Sequence, residues 1–174
     1  LGKMIIKGNL DQTSREVISV FLGQLSAVTQ SKLLMRELEK MASMDGLTGV
    51  YNRSFFDQEH MQAIANANRY HIPFAIIMID VNELKAVNDY YGHERGDEMI
   101  IRVAHLLREV CRKTDIAARI GGDEFAALMP STTLAQAESV VQRLRNFEDH
   151  LSMLCRHKDG RELLVPIRIS IGVC

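Results

Sequence analysis

Two acids follow two glycines at Gly121-Gly122-Asp123-Glu124, between the apolar runs Ile116-Ala117-Ala118 and Phe125-Ala126-Ala127-Leu128-Met129. Gly-Gly between strand-like segments predicts a tight hairpin, because glycine accepts the positive φ values that such turns use. Two carboxylates at that turn suit a hard cation such as Mg²⁺. Taken alone, a short acidic hairpin reads better as a solvated turn, so the rest of the chain has to decide.

Asp80 bears on that decision. It ends the run Phe74-Ala75-Ile76-Ile77-Met78-Ile79, which follows Pro73. A short, β-branched-rich run of this kind predicts a buried strand. An acid there is costly unless it is paired, binds a metal or caps the next helix. Palm-type enzymes gather strand-end carboxylates around paired Mg²⁺ ions about 3.5–4 Å apart. Chain spacing alone does not bring Asp80 to Asp123. Arg112-Lys113-Thr114-Asp115, just upstream, reads by itself as a solvated helix end.

The elements that must position these residues follow from periodicity. Residues 11 to about 44 read as a helix, capped by Asp11 or Thr13, with Glu16 at capping-box spacing from Thr13. Ile18, Phe21, Leu25 and Val28 form an apolar stripe, which Leu34, Leu38 and Met41 continue out of phase. That helix either packs on its own domain or pairs with a second copy as a coiled coil. Asp45-Gly46 breaks it, so the domain boundary falls there, giving 1–44 and 45–174. Helices are predicted over 53–70, 84–91, 97–111 and 133–153, strands over 74–79 and on each side of the Gly-Gly turn, and a last alternating strand over 163–173. Lys158-Asp159-Gly160-Arg161 is the turn before it. Interleaved helices with one antiparallel hairpin predict an α+β sandwich, a sheet covered by helices.

Composition excludes several classes. The chain has 174 residues, 47% hydrophobic and 25% charged, with net charge -1. No global field points to nucleic acid or an anionic membrane, so an anionic ligand must rely on local groups. Cys111, Cys155 and Cys174 form no C-x-x-C pair, which argues against zinc and a disulfide framework and fits a reducing compartment. His60, His71, His105, His150 and His157 share no ligand spacing, and the nine methionines read as core filler. No apolar run reaches membrane-span length. Leu1 is not a natural start, so upstream residues are expected.

Gly121-Gly122-Asp123-Glu124-Phe125 resembles the signature of the GGDEF family, whose active members are diguanylate cyclases. The resemblance extends to Asp80, Lys85, Asn88-Asp89, Gly92-His93 and Gly96-Asp97, and to Leu47-Thr48-Gly49 with Asn52-Arg53. These separated blocks stand in the family's order and cover about residues 45 to 174. Asn82 stands where the family often has Asp. The resemblance implies a palm-like nucleotide-cyclase fold with a central, largely antiparallel sheet. It implies a long N-terminal linker helix, and residues 1–44 also loosely resemble the tail of a GAF-type sensor domain.

The resemblance also implies site roles. Asp80, Asp123 and the Val81 carbonyl would bind two Mg²⁺ ions, or Mn²⁺. Backbone amides from Val81 to Leu84 would line a triphosphate, and Lys85 would place a positive charge on it. Asn88 and Asp97 would hydrogen-bond guanine, with His93 in the same block. A carboxylate at Asp97 accepts from guanine N1–H and the 2-amino group, a donor pair adenine lacks, which favours GTP over ATP. Asp123 or Glu124 would deprotonate the attacking 3′-hydroxyl. Arg112, Asp115 and Arg143 match a product-inhibition site for cyclic di-GMP. The implied protein is a cytoplasmic homodimer downstream of a sensor, condensing two GTP into cyclic di-GMP and two pyrophosphates. The alternative is a non-catalytic module that binds GTP or cyclic di-GMP. The chain ends at the family's Ser-Ile-Gly strand, Ser170-Ile171-Gly172, so a further helix carrying a phosphate-contacting lysine is expected beyond it.

Overall fold

Asp11 opens the first helix. In the computed structural model, which describes residues 11–41, 43–156 and 161–174, its carboxylate accepts from the Ser14 amide at 3.1 Å. Hydrogen bonding from Ser14, its side chain first and then its amide, favours the charged form and lowers the Asp11 pKa. Asp11 rather than Thr13 is therefore the cap of α1 (Gln12–Met41). The chain divides into two compact units, 1–42 and 43–174. In the first, Phe21, Leu25 and Val28 of the expected stripe are each more than half exposed, as is Val17, whereas Ile18 is half-buried. The apolar stretch Met4–Ile6, His157, the turn Lys158–Gly160 and the side chains of Leu34, Leu38 and Met41 lie outside the described residues.

The second unit is built on a five-stranded sheet. Its strands are β1 (Tyr51–Asn52), β2 (Phe74–Val81), β3 (Ile116–Arg119), β4 (Glu124–Pro130) and β7 (Ile169–Val173), in the order β1-β3-β4-β2-β7. Only β1 and β3 are parallel; every other pairing is antiparallel. The apolar run of β2 makes it central, hydrogen-bonded on both edges. The helices are α2 (Arg53–Tyr70), α3 (Leu84–Tyr91), α4 (His93–Val110) and α5 (Leu134–Glu148).

Strand alternation sends the core to two faces. Ile77, Ile79, Val81, Phe125, Ala127 and Met129 share one cluster with Met99, Val103 and Leu107 of α4 and Val141 and Leu144 of α5. On the other face, Phe56 of α2 joins Ala118, Ala126 and Leu128. This α+β arrangement, with a mixed and mostly antiparallel sheet flanked by helices, is the fold class expected.

Four local expectations need correction. Neither Gly121 nor Gly122 is in the left-handed region; among the described residues the positive-φ glycines are Gly49 (66°) and Gly92 (89°). The hairpin forms, but for a reason given below. Helix α4 starts at His93, not Asp97, because Gly92 ends α3 and opens α4 in a single residue. Helix α5 stops at Glu148, and residues 152–156 alternate instead, with Met153 and Cys155 buried. They form β5 (Ser152–Arg156), paired with β6 (Glu162–Pro166) in a separate two-stranded sheet. The expected last strand is therefore two, β6 and β7. Pro166 has no N–H to continue a ladder, and buried Ile167 donates instead to the Leu151 carbonyl at 2.9 Å.

Candidate active site

Register, not sequence distance, assembles the acids. Asp80 lies directly opposite Glu124 across β2 and β4, and opposite Ser170 across β2 and β7. The Val81 amide donates to the Asp123 carbonyl at 3.0 Å, which ties the third acid to the same strand end. Asp80 and Glu124 are exposed and Asp123 is half-buried. Asp80 is thus not a buried charge, and it is not a helix cap either. The N-cap of α3 is Glu83, at φ 62° and with no side-chain capping bond. Met78, Asp80, Glu124, Ser170 and Gly172 line a groove of about 340 Å³.

Like charges directly opposite on paired strands destabilise the pair by a few tenths to about 1 kcal/mol. A cation between them reverses that sign. Among the described residues no three His, Cys, Asp or Glu side chains form a ready metal cage. The donor set fits Mg²⁺ all the same. That ion is commonly held by one or two carboxylates, with water and substrate phosphate completing the shell.

The turn between β3 and β4 is held by Arg119, a residue that motif reading passed over. Its Nε donates to the Gly121 carbonyl at 3.1 Å and its Nη2 to the Gly122 carbonyl at 2.7 Å. Its Nη1 reaches Asp45 Oδ1 at 3.4 Å. Asp45 also accepts from the Thr48 amide at 2.9 Å and hydroxyl at 2.6 Å. Burial pushes the Asp45 carboxyl up, but the Thr48 bonds and the Arg119 charge outweigh it and its pKa is lowered. The signal in the sequence was an Asp three residues before a Thr, a local capping spacing; nothing local pointed to Arg119. A Cβ at Gly121 would stand 2.6 Å from Glu124 Oε2, the end of an exposed side chain that can swing aside, so neither φ nor close approach demands glycine there.

The residues expected to bind nucleotide sit on α3 and α4. Lys85 is in the first turn of α3, and His93 and Asp97 are in the first turns of α4; all three are exposed. Asn88 is half-buried near the end of α3. The expectation that amides from Val81 onward face a phosphate needs narrowing. Val81 N is bonded to Asp123 O, and Asn82 N to Arg168 O at 2.9 Å. The first-turn amides of α3, from Leu84 on, are the donors left by helix geometry. Asn82 also accepts from the Ser170 hydroxyl at 2.9 Å.

Arg112 and Asp115 close a turn. Asp115 Oδ2 accepts from Arg112 N at 2.8 Å, and Asp115 N donates to Arg112 O at 3.0 Å. Arg143 Nη2 donates to the Val110 carbonyl at 2.7 Å, at the end of α4. Arg108, Arg112, Lys113 and Asp115 line a groove of about 320 Å³ with Tyr51 and Cys111. Burial first, then the Asp115 charge, pushes the Cys111 thiol up to about 12, against the pull of Arg143. It is therefore an inert thiol. Strand β3 separates this basic groove from the acidic strand end.

The family model for the diguanylate cyclase GGDEF domain matches residues 42–174. The uncharacterized protein YhcK of Bacillus subtilis is 38% identical over 165 residues, covering 90% of this chain and 44% of that protein. The probable diguanylate cyclase DgcC of Escherichia coli K12 is 33% identical over 159 residues, covering 90% and 41%. This chain spans less than half the length of either relative. Among solved structures, the GGDEF domain of DgcB from Caulobacter crescentus, in complex with c-di-GMP, superposes with a TM-score of 0.69 at 30% identity, covering 76% of this chain and 74% of that one. The form that includes the coiled coil gives 0.71 at 25% identity, covering 90% and 81%.

Proposed function

The chain belongs to the GGDEF family, and from that premise we propose that its parent protein is a diguanylate cyclase that condenses two GTP into cyclic di-GMP and two pyrophosphates. Its relatives include diguanylate cyclases. The observation that carries the reading is the pairing of Asp80 with Glu124, beside Asp123, at one end of β2 and β4.

In this reading residues 45–174 form the catalytic domain and residues 1–44 a signalling helix below a sensor. Each protomer holds one GTP, and two protomers face each other. Asp80, Asp123 and the Val81 carbonyl would hold two Mg²⁺ (or Mn²⁺) per site, which would supply charge neutralisation for the phosphates. Lys85 and the first-turn amides of α3 bind the phosphates. Asn88, His93 and Asp97 position the guanosine, and Asp97 selects guanine. Asp123 or Glu124 takes the 3′-hydroxyl proton. The 3′-oxygen then bonds to the α-phosphorus of the facing nucleotide as that phosphorus releases pyrophosphate. Arg112, Asp115 and Arg143 bind cyclic di-GMP and slow the enzyme. GTP as substrate places the reaction in the cytoplasm; among the described residues no helix is long and apolar enough to cross a membrane.

The test is the full-length protein with GTP and Mg²⁺, assayed for pyrophosphate and cyclic di-GMP. Turnover is expected, and Asp80→Asn or Glu124→Gln should cut it by about 100-fold or more. GTP binding with no product would instead identify a non-catalytic module.

A further inference from the structure

We propose that Gly96 is a positioning residue whose missing side chain lets Asn88 lie against α4 and so sets how tightly the site holds guanine. The inference rests on the nucleotide reading above. Asn88 is in the last turn of α3 and Gly96 in the first turn of α4. Gly92 alone joins the two helices, and its φ of 89° folds one onto the other. A Cβ at Gly96 would stand 1.9 Å from Asn88 Oδ1, 2.8 Å from its Cγ and 3.2 Å from its Nδ2.

The whole carboxamide is inside contact distance, so a small shift at its tip does not relieve the clash. The Asn88 backbone has little freedom to retreat, since its carbonyl accepts from Gly92 N at 2.9 Å. The side chain has to rotate away from α4. Gly96 is buried and has no positive φ, so its backbone tolerates alanine. Alanine also favours a helix interior over glycine. Helix propensity and backbone conformation therefore give no reason for glycine here, and close approach does. The carboxamide offers donors and an acceptor in fixed geometry, and Asp97 is the next residue along. Rotating Asn88 removes one hydrogen-bonding arm and leaves the carboxylate arm in place.

The test is a double-mutant cycle in the full-length protein, read by steady-state kinetics with GTP and by calorimetric binding of a non-hydrolysable GTP analogue. Gly96→Ala should raise KM and the analogue's Kd about tenfold, with a smaller change in kcat. Its thermal transition should stay at or above that of the parent. Asn88→Ala should weaken binding similarly. The double variant should bind no worse than Asn88→Ala alone, because the shortened side chain no longer meets the added methyl. A Gly96→Ala protein with unchanged KM and Kd, or additive losses in the double variant, overturns the Gly96 inference. An Asn88→Ala protein that binds the analogue like the parent overturns the assignment of Asn88 to the nucleotide, a separate outcome.

Discussion

Arg119 shows how one side chain carries several structural tasks. It neutralises Asp45 and closes the Gly121-Gly122 turn through two carbonyls. Its own side chain is 17% exposed and that of Asp45 is 23% exposed, so the pair is only partly screened. Arg119→Ala leaves a desolvated carboxylate and unbonded carbonyls, and should cost about 1–3 kcal/mol in urea unfolding. The same pair sets a pH dependence. The folded pKa of Asp45 lies below its ordinary 3.8, and that of Glu98, bonded first by Arg102 and then by Arg95, lies below 4.5. A lowered folded pKa means the native state releases its proton more readily than the unfolded chain. The stabilisation is complete above the ordinary value and is lost as pH falls through the folded one. Stability measured by urea should therefore decline as pH drops below about 4.5. Asp45→Asn should flatten that acid limb.

Elements transmit these side-chain effects by their ends. Helix α5 begins with a capping box, in which Gln136 N donates to Thr133 Oγ1 and Thr133 N donates to the Gln136 side chain. Thr133→Ala should cost about 1 kcal/mol. Central β2 carries a larger load. Ile77 is fully buried, and Ile77→Ala should cost about 2–5 kcal/mol in the same unfolding assay. At the end of α4, the two proposed inhibitory residues have unlike structural roles. Asp115 accepts from the Arg112 amide, so Asp115→Ala opens the turn itself, whereas Arg112→Ala removes only a guanidinium. Both should weaken inhibition by cyclic di-GMP about tenfold or more. Only Asp115→Ala should also lower the unfolding midpoint.

At the scale of the whole molecule, the exposed stripe of α1 is the feature that asks for a partner. Val17, Phe21, Leu25 and Val28 recur at helical spacing, with exposures between 54% and 64%. We take its occupant to be the same helix of a second copy, as the reaction proposed above between two facing protomers would require. Phe21→Glu with Leu25→Glu should shift the full-length protein toward monomer in sedimentation and lower specific activity in parallel. Unchanged activity in a monomeric variant would separate the helix from catalysis.

The sequence by itself determined the elements whose burial is written locally. The β-branched run of β2, the helix over 84–91 and the two strands around Gly121 follow from period and apolar runs, although the turn chemistry expected at Gly121-Gly122 did not hold, and α3 matches its predicted bounds. Residue types also marked Asp80, Asp123 and Glu124 as the candidates for chemistry. What only the tertiary structure decided is who faces whom. The two-residue β1 has too little pattern to detect, and it exists because β3 accepts it in parallel. The Asp45–Arg119 bond joins residues 74 apart. The opposition of Asp80 to Glu124 depends on the antiparallel register of β2 and β4, and a slip of one residue would turn Asp80 to the other face. Periodicity reports which side of one segment meets solvent. Register and close approach depend on closing loops between segments, and that information is spread over the whole chain.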